Sequence, residues 1–351
     1  MTFQSDIWLL LWIGLVALFA HGVKLKRKEL VLGQETERYG MFFAFIVFLP
    51  VFLFVSIGEI RGDIWAYLNA YDNLSVSFSD VFYNWWSDKG PGFTLIELAI
   101  KHFFGNSRNA FRIVFGLIQT IPLVLVYRRY SEDYIFSIFL FITMGYYSGW
   151  MMNGLRQFVA ACIIFAALPL LLKKKFVPTI IIILLAMTIH SSAMMMLPIV
   201  LVAWFEPWKK GILFSYVLFV IALFIFVNNT DMLSEEILKN DDGANPIRIL
   251  ISAIPVVLAF IGRKQITADN NPLINICVNM SVFTMLIYFV ATFTNGIGTG
   301  RLPVYTGIYN LILIPYLVSN VFDMRKSKYI KLFFVFFYLV FFFYSLLNGI
   351  N

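Results

Sequence analysis

The sequence predicts an all-α polytopic membrane protein with about 12 transmembrane helices. Three observations carry that prediction. The chain is 60% hydrophobic and only 13% charged, with a mean hydropathy of +0.81, far from the balance of a soluble domain. Apolar runs of about 20 residues, the length that crosses a bilayer, recur from one end of the chain to the other. The lysines and arginines fall mainly in the short stretches between those runs.

Taken in order, the apolar runs cover roughly 6–21, 41–58, 109–127, 134–150, 157–172, 176–190, 192–207, 211–228, 247–262, 273–293, 302–320 and 330–347. The stretch 91–104, PGFTLIELAIKHFF, is apolar but short. Glu97 and Lys101 stand one helical turn apart in it, so it reads as an interfacial or re-entrant helix. Loop charge then sets the orientation. Placing 22–40 in the cytoplasm puts Lys24, Lys26, Arg27, Lys28 and Arg38 there. The same alternation adds Arg128, Arg129, Lys173, Lys174, Lys175, Lys209, Lys210, Arg263, Lys264, Arg325, Lys326, Lys328 and Lys331, which makes 18 of the 27 basic residues. The other side holds nine basic residues against twelve acidic ones. Both termini are then external. No internal repeat or linker divides the chain, so residues 1–351 read as a single integral membrane domain. Its larger external elements are 59–108, carrying interfacial helices, and the acidic loop 229–246.

Composition also excludes. There is no room for a soluble domain, and the net charge of +7 sits in short loops rather than in a nucleic-acid-binding face. Cys162 and Cys277 lie inside predicted spans and read as small apolar packers, with no disulfide framework. Three scattered histidines, His21, His102 and His190, make a poor metal site, and no metal or cofactor is expected. Asp6 precedes the first apolar run and the basic cluster follows it, the reverse of a cleavable signal.

On the external side, polar residues cluster at the ends of spans, where a charge needs a partner or a task. Asp63, Tyr67 and Tyr71 recur every fourth residue and share one face of a helix. Asp63 reads either as the cap of that helix after Gly62 or as a catalytic carboxylate at the membrane surface. Trp65, Tyr83, Trp85 and Trp86 suit the headgroup layer. Asn153 and Arg156 open the fifth span one turn apart, with Gln157 beside them. The Arg156 guanidinium stays charged and reads either as a structural ion pair or a snorkelling arginine, or as the partner of a phosphate or pyrophosphate that matches its fork. Arg61, Arg112 and Arg301 are the other external arginines in that group. His190 ends the sixth span in AMTIHSSAMMMLP, either as a general base or as a helix-ending histidine bonded to a carbonyl or to Ser191. The loop TNGIGTGRLPVYTGIYN carries Arg301 and Tyr305 one turn apart, without the lysine of a phosphate-binding P-loop. The acidic loop, with Asp231, Glu235, Glu236, Asp241 and Asp242, lacks the spacing of an EF-hand.

These residues resemble the EpsG family of bacterial exopolysaccharide and O-antigen (Wzy-type) polymerases. The resemblance rests on Asn-x-x-Arg-Gln at Asn153, Arg156 and Gln157, the basic turn Lys173 to Lys175, and His-x-Ser-Ala at His190, Ser192 and Ala193. Asp63, Tyr67 and Tyr71, the pair Gly92 and Phe93, and Arg301 with Tyr305 follow in the expected order, over about residues 40 to 320. A more distant likeness, in GD-x3-Y and PGFTLIELAIKHFFGNSRNAFRIVFGLI, is to membrane glycosyltransferases of the GT-C class, whose first external loop carries an acidic base. This chain has one extra span before that motif and lacks a clear second acidic residue beside Asp63.

The resemblance implies an enzyme of the bacterial cytoplasmic membrane. It would join oligosaccharide repeat units carried on undecaprenyl pyrophosphate, at the outer face. Donor and acceptor are then lipid-linked, and a chain-length regulator protein is a further partner. Asp63 and His190 become candidate bases. Arg156, Arg301, Arg61 and Arg112 become candidate pyrophosphate ligands. Asn153, Gln157, Tyr67, Tyr71 and Tyr305 become candidate substrate-binding residues. Two rivals are a lipid-linked oligosaccharide flippase, expected to show pseudo-symmetry and mid-membrane charges, and a membrane O-acyltransferase using His190.

Overall fold

A computed structural model describes residues 4–86, 90–229, 244–294, 296, 298–322 and 324–348. Most of the acidic loop expected at 229–246 lies outside the described residues. The chain forms two compact units. The first is Met1–Leu168, Val177–Met194 and Lys328–Asn351; the second is Pro169–Phe176 and Met195–Ser327.

The first unit opens with α1 (Gln4–Gly22). The basic stretch after it, expected as a plain loop, is an antiparallel hairpin of β1 (Lys26–Val31) and β2 (Gln34–Tyr39). Its turn residues Leu32 and Gly33 have φ of 51° and 82°, the left-handed pair of a two-residue hairpin loop. Lys28 and Glu35 form an ion pair on it at 3.1 Å. Helices α2 (Met41–Ile57), α3 (Ile64–Asp72), α4 (Phe78–Tyr83), α5 (Pro91–Phe104), α6 (Arg108–Tyr130) and α7 (Tyr134–Thr143) follow. A short turn α8 (Tyr146–Ser148) and a π-helical turn (Gly149–Asn153) lead into α9 (Leu155–Ala166).

α2, α6 and α9 form the centre of this unit, through fully buried Phe48, Phe111, Phe115, Phe158 and Phe165. Gly116 lets α6 approach α2 closely: a Cβ there would stand 2.4 Å from Ser56 Oγ. Small residues at helix contacts serve the same purpose in membrane bundles.

The short helix α10 (Leu168–Leu172) continues α9, and α11 (Phe176–Met187) runs up to His190. The second unit contains α12 (Met196–Val202), α13 (Lys210–Asn229), α14 (Ile247–Ile261), α15 (Arg263–Asp269), α16 (Pro272–Thr292), α17 (Val304–Gly307) and α18 (Asn310–Asn320). α16 is its axis, almost wholly buried against α13, α14 and α18. Asn279 on that helix donates to the carbonyls of Ala203 and Phe205 and accepts from the Tyr216 hydroxyl. Helix α19 (Met324–Asn348) ends the described chain.

Each of the twelve apolar stretches expected to span contains an apolar helix, but they differ in length. Six helices among the described residues are long and apolar enough to cross a membrane, and up to nine if each bent pair is one span. Met41–Ile57, Phe176–Met187 and Ser191–Val202 are shorter. The bends have local causes. The 64° break after α7 falls at Gly145, whose φ of 73° is left-handed and ends a helix readily.

An arginine of α6 fastens each end of the first unit. Arg128, near the C-terminus of α6, donates to the Tyr39 carbonyl at 2.6 Å and pairs with Glu29 on the hairpin. Arg112, near the N-terminus of α6, donates to carbonyls at the far end of α2. The sixteen residue steps of α6 from Arg112 to Arg128 correspond to about 24 Å.

Candidate active site

The site is assembled at the end of α2. Gly58 closes that helix, its N–H reaching Leu53 O and Phe54 O. The Arg112 guanidinium donates to Val55 O at 2.9 and 3.2 Å and to Gly58 O at 2.8 Å. A cation on the last carbonyls of a helix satisfies groups that the helix itself cannot. Arg61 follows, and its guanidinium is bound to Asp6 at 2.9 Å, Glu59 at 3.1 Å and Ser5 Oγ at 2.8 Å. Both arginines that the sequence offers as pyrophosphate ligands here are engaged by the protein's own oxygens.

Gly62 then turns the chain with φ of +56°. Its missing side chain is required: a Cβ there would lie 1.4 Å from Asn153 Oδ1. That oxygen accepts the backbone N–H of Asp63 at 2.9 Å. Asp63 stands at the N-terminus of α3 but makes no side-chain capping bond, and it is exposed. The capping role that its position suggests is not the one it takes. Tyr67 is half-buried, with its ring 6.1 Å from that of Phe93. Tyr71 is buried, and its hydroxyl donates to Gly105 O at 3.0 Å. The shared face of α3 therefore splits: Asp63 faces outward and Tyr71 anchors the helix.

Asn153 ends the π-helical turn, and Arg156 begins the next helix one turn on. Such turns interrupt the regular ladder and recur at functional sites. The Arg156 guanidinium lies over the Phe93 ring at 5.1 Å. It also occupies space left by Gly90, where a Cβ would come within 1.7 Å of Nη2. Proline at the first position of α5 sets that helix after Gly90, since its missing N–H costs nothing there. Gly92 N–H donates to Thr188 O at 2.8 Å, which ties the start of α5 to the end of α11.

His190 follows directly. Its Nδ1 lies 2.7 Å from Ser192 Oγ and 3.3 Å from the Ser192 amide nitrogen, which donates to it. Gln157 Nε2 donates to the same hydroxyl at 3.3 Å. The Ser192 N–H donates to Nδ1, so a neutral His190 in this arrangement carries its proton on Nε2.

The structure thus brings together Asp63, Asn153, Arg156, Gln157 and His190 from three separate segments of the first unit. Arg301 and Tyr305 belong to the second unit. There Arg301 is exposed on a 3-10 turn (Thr299–Arg301), whereas Tyr305 is 1% exposed. Gly90, Thr188 and Asp6 escaped the sequence reading. Gly90 directly precedes the Pro-Gly-Phe that opens α5, a combination that signals a tight backbone approach.

The family model that matches this chain is that of the EpsG family, over residues 40–351. The chain belongs to the EpsG family. This is the family of Wzy-type polysaccharide polymerases. No curated protein and no solved structure is significantly similar to the chain. In this EpsG-family chain the Asn-x-x-Arg-Gln and His-x-Ser-Ala elements touch through Gln157 and Ser192. Residues 1–39 precede the matched region.

Proposed function

We propose that this EpsG-family chain polymerises oligosaccharide repeat units carried on undecaprenyl pyrophosphate, at the outer face of a bacterial cytoplasmic membrane. The observation that carries the reading is the convergence of Asp63, Asn153, Arg156 and His190 at one end of a helical unit, while the basic hairpin and Arg128 lie at the other. Basic residues collect on the cytoplasmic side, so the cluster end is external. The remaining apolar helices complete a twelve-span, GT-C-like arrangement.

In this reaction an acceptor sugar hydroxyl attacks the anomeric carbon of the donor. The new glycosidic bond forms as the bond to the lipid diphosphate breaks. The diphosphate leaves with the electron pair, and the hydroxyl proton goes to a base. Asp63 is that base. Arg156 meets the charge growing on the diphosphate, which a fixed cation in a dry site stabilises strongly. His190 contributes a hydrogen bond from Nε2 rather than a basic nitrogen, because its Nδ1 already accepts from Ser192. The Tyr67 ring packs against that of Phe93, and Tyr67 offers its ring and hydroxyl to a sugar. Arg61 and Arg112 hold the scaffold.

The experiment is conversion of a purified lipid-diphosphate repeat unit into a polymer ladder. Arg156→Ala abolishes the ladder while the protein still inserts. Arg156→Lys is also impaired, since a point charge does not replace a planar fork. Arg301→Ala, tested separately, is expected to lower polymerisation as well. Parental ladders from both Arg156→Ala and Asp63→Asn would refute the reading, and accumulation of repeat units inside cells lacking the gene would favour a flippase.

A further inference from the structure

Helix α1 lies outside the region matched by the family, yet it supports the site. Its Asp6 is only 2% exposed. A buried carboxylate is costly unless it is paired and hydrogen-bonded, and a helix that merely packed in lipid would not need one. Asp6 has two partners on two other segments. Arg61 Nη1 donates to both carboxylate oxygens, at 2.9 and 3.2 Å. The Tyr147 hydroxyl donates to Oδ1. Arg61 directly precedes Gly62 and Asp63, and Tyr147 lies in α8, which leads into the π-helical turn that ends at Asn153. Phe54 closes the group: the Arg61 guanidinium lies over its ring at 5.0 Å, and the Tyr147 ring meets it edge-on at 5.3 Å.

We propose that Asp6 is a positioning residue for the Asp63–Asn153 pair. It fixes the two backbone segments whose ends meet in the Asp63 N–H bond to Asn153. One carboxylate holds both segments in register, as a supporting shell must where a reacting group sits on a loop. The role of Asp63 as base rests on the reading above, but the placement of its backbone does not.

Hydrogen exchange on the purified full-length protein tests this directly, with no polymerisation assay. Asp6→Asn is expected to speed exchange of the Asp63 amide and leave the buried core of α6 at the parental rate. Its polymerisation kcat is expected to fall on the order of 100-fold, the scale of a small misplacement of a reacting group, with the KM for donor little changed. Asp6→Glu restores part of both. Tyr147→Phe removes one bond only and gives an intermediate exchange rate, which decides the matter if Asp6→Asn does not accumulate in the membrane. Parental exchange at Asp63 in these variants overturns the proposal, as does faster exchange spread equally over α6. A parental ladder from Asp63→Asn with accelerated exchange in Asp6→Asn would refute the catalytic reading alone.

Discussion

Asp63 and Asn153 meet through the main chain of one and the side chain of the other, the Asp63 N–H donating to Asn153 Oδ1 at 2.9 Å. The bond occupies space that exists because residue 62 has no side chain. It sets where the Asp63 carboxylate begins, since the same residue starts α3.

Gly62→Ala should therefore damage the site twice. A left-handed φ costs a residue with a Cβ about 1–2 kcal/mol, and the new methyl would stand 1.4 Å from Asn153 Oδ1. The expected outcome is a modestly lowered unfolding temperature and a polymer yield reduced on the order of 100-fold. Normal ladders from Gly62→Ala would mean that the placement of Asp63 is not critical.

Gly90→Ala is a cleaner probe of Arg156. The added Cβ would stand 1.7 Å from Nη2, the end of a flexible side chain, and 3.0 Å from Ile189 O, so the guanidinium must swing away and the backbone give slightly while the fold persists. Activity is expected to fall nearly as far as in Arg156→Ala, with little change in thermal stability. In the double variant the two losses should not add, because both act through one guanidinium. Additive losses would show that Gly90 acts on something else.

Much of this was legible in the sequence, for identifiable reasons. The apolar runs located every helix among the described residues that is long and apolar enough to span, because burial in lipid demands continuous hydrophobicity. The motif residues Asn153, Arg156, Gln157, His190 and Ser192 stood out as polar groups at span ends. What could not be read was how each polar group spends its charge. Arg61, Arg112 and Arg156 look alike in sequence, yet the first meets Asp6 and the second meets carbonyls. The partner of Arg61 lies 55 residues away along the chain, a distance over which periodicity carries no information. The hairpin at Lys26–Tyr39 was hidden by its charges, which mask the alternation that marks a strand.

Arg112 and Arg156 should separate in their response to substitution. Arg112 is 6% exposed and anchors the end of α2 through three hydrogen bonds. Bonds from a charged donor contribute about 1.5–3 kcal/mol each. Arg112→Met is expected to lower the unfolding temperature and membrane yield sharply, and Arg156→Ala to leave both near parental values. Thermal unfolding of the purified variants checks this, and equal stability would argue that Arg112 is no scaffold residue.

The loop helix α4 should respond to pH independently of the site. Its Asp80 carboxylate accepts from the Ser77 hydroxyl and the Ser77 N–H, both at 2.7 Å. Those bonds, the hydroxyl's first, hold the Asp80 pKa below the ordinary carboxylate value. A depressed folded-state pKa means that the stabilisation is complete above the ordinary aspartate value, about 3.9. It is lost as pH falls through the lowered one. Fluorescence of Trp85, which stacks on Phe82 at 6.0 Å, is expected to change only in that acid window. Asp80→Asn should abolish the change, and its persistence would assign it to another carboxylate.

His190 offers the sharpest test of how the site works. With Nδ1 accepting from the Ser192 amide and hydroxyl, the neutral ring presents Nε2–H. It can donate to an oxygen that gains charge but cannot take a proton there. A single such donor contributes about 2.7–4 kcal/mol to a transition state. His190→Gln keeps an N–H donor and is expected to retain at least roughly tenfold more activity than His190→Ala, a difference of about 1.4 kcal/mol. Ser192→Ala removes the two neutral hydrogen bonds of its hydroxyl, with Gln157 and with His190, and leaves the amide in place, so its loss should stay near about 0.5–1.5 kcal/mol for each. Rates from purified variants at saturating donor decide between the roles. Equal inactivity of His190→Gln and His190→Ala, with full activity in Asp63→Asn, would make His190 the base and overturn the tautomer assigned to it.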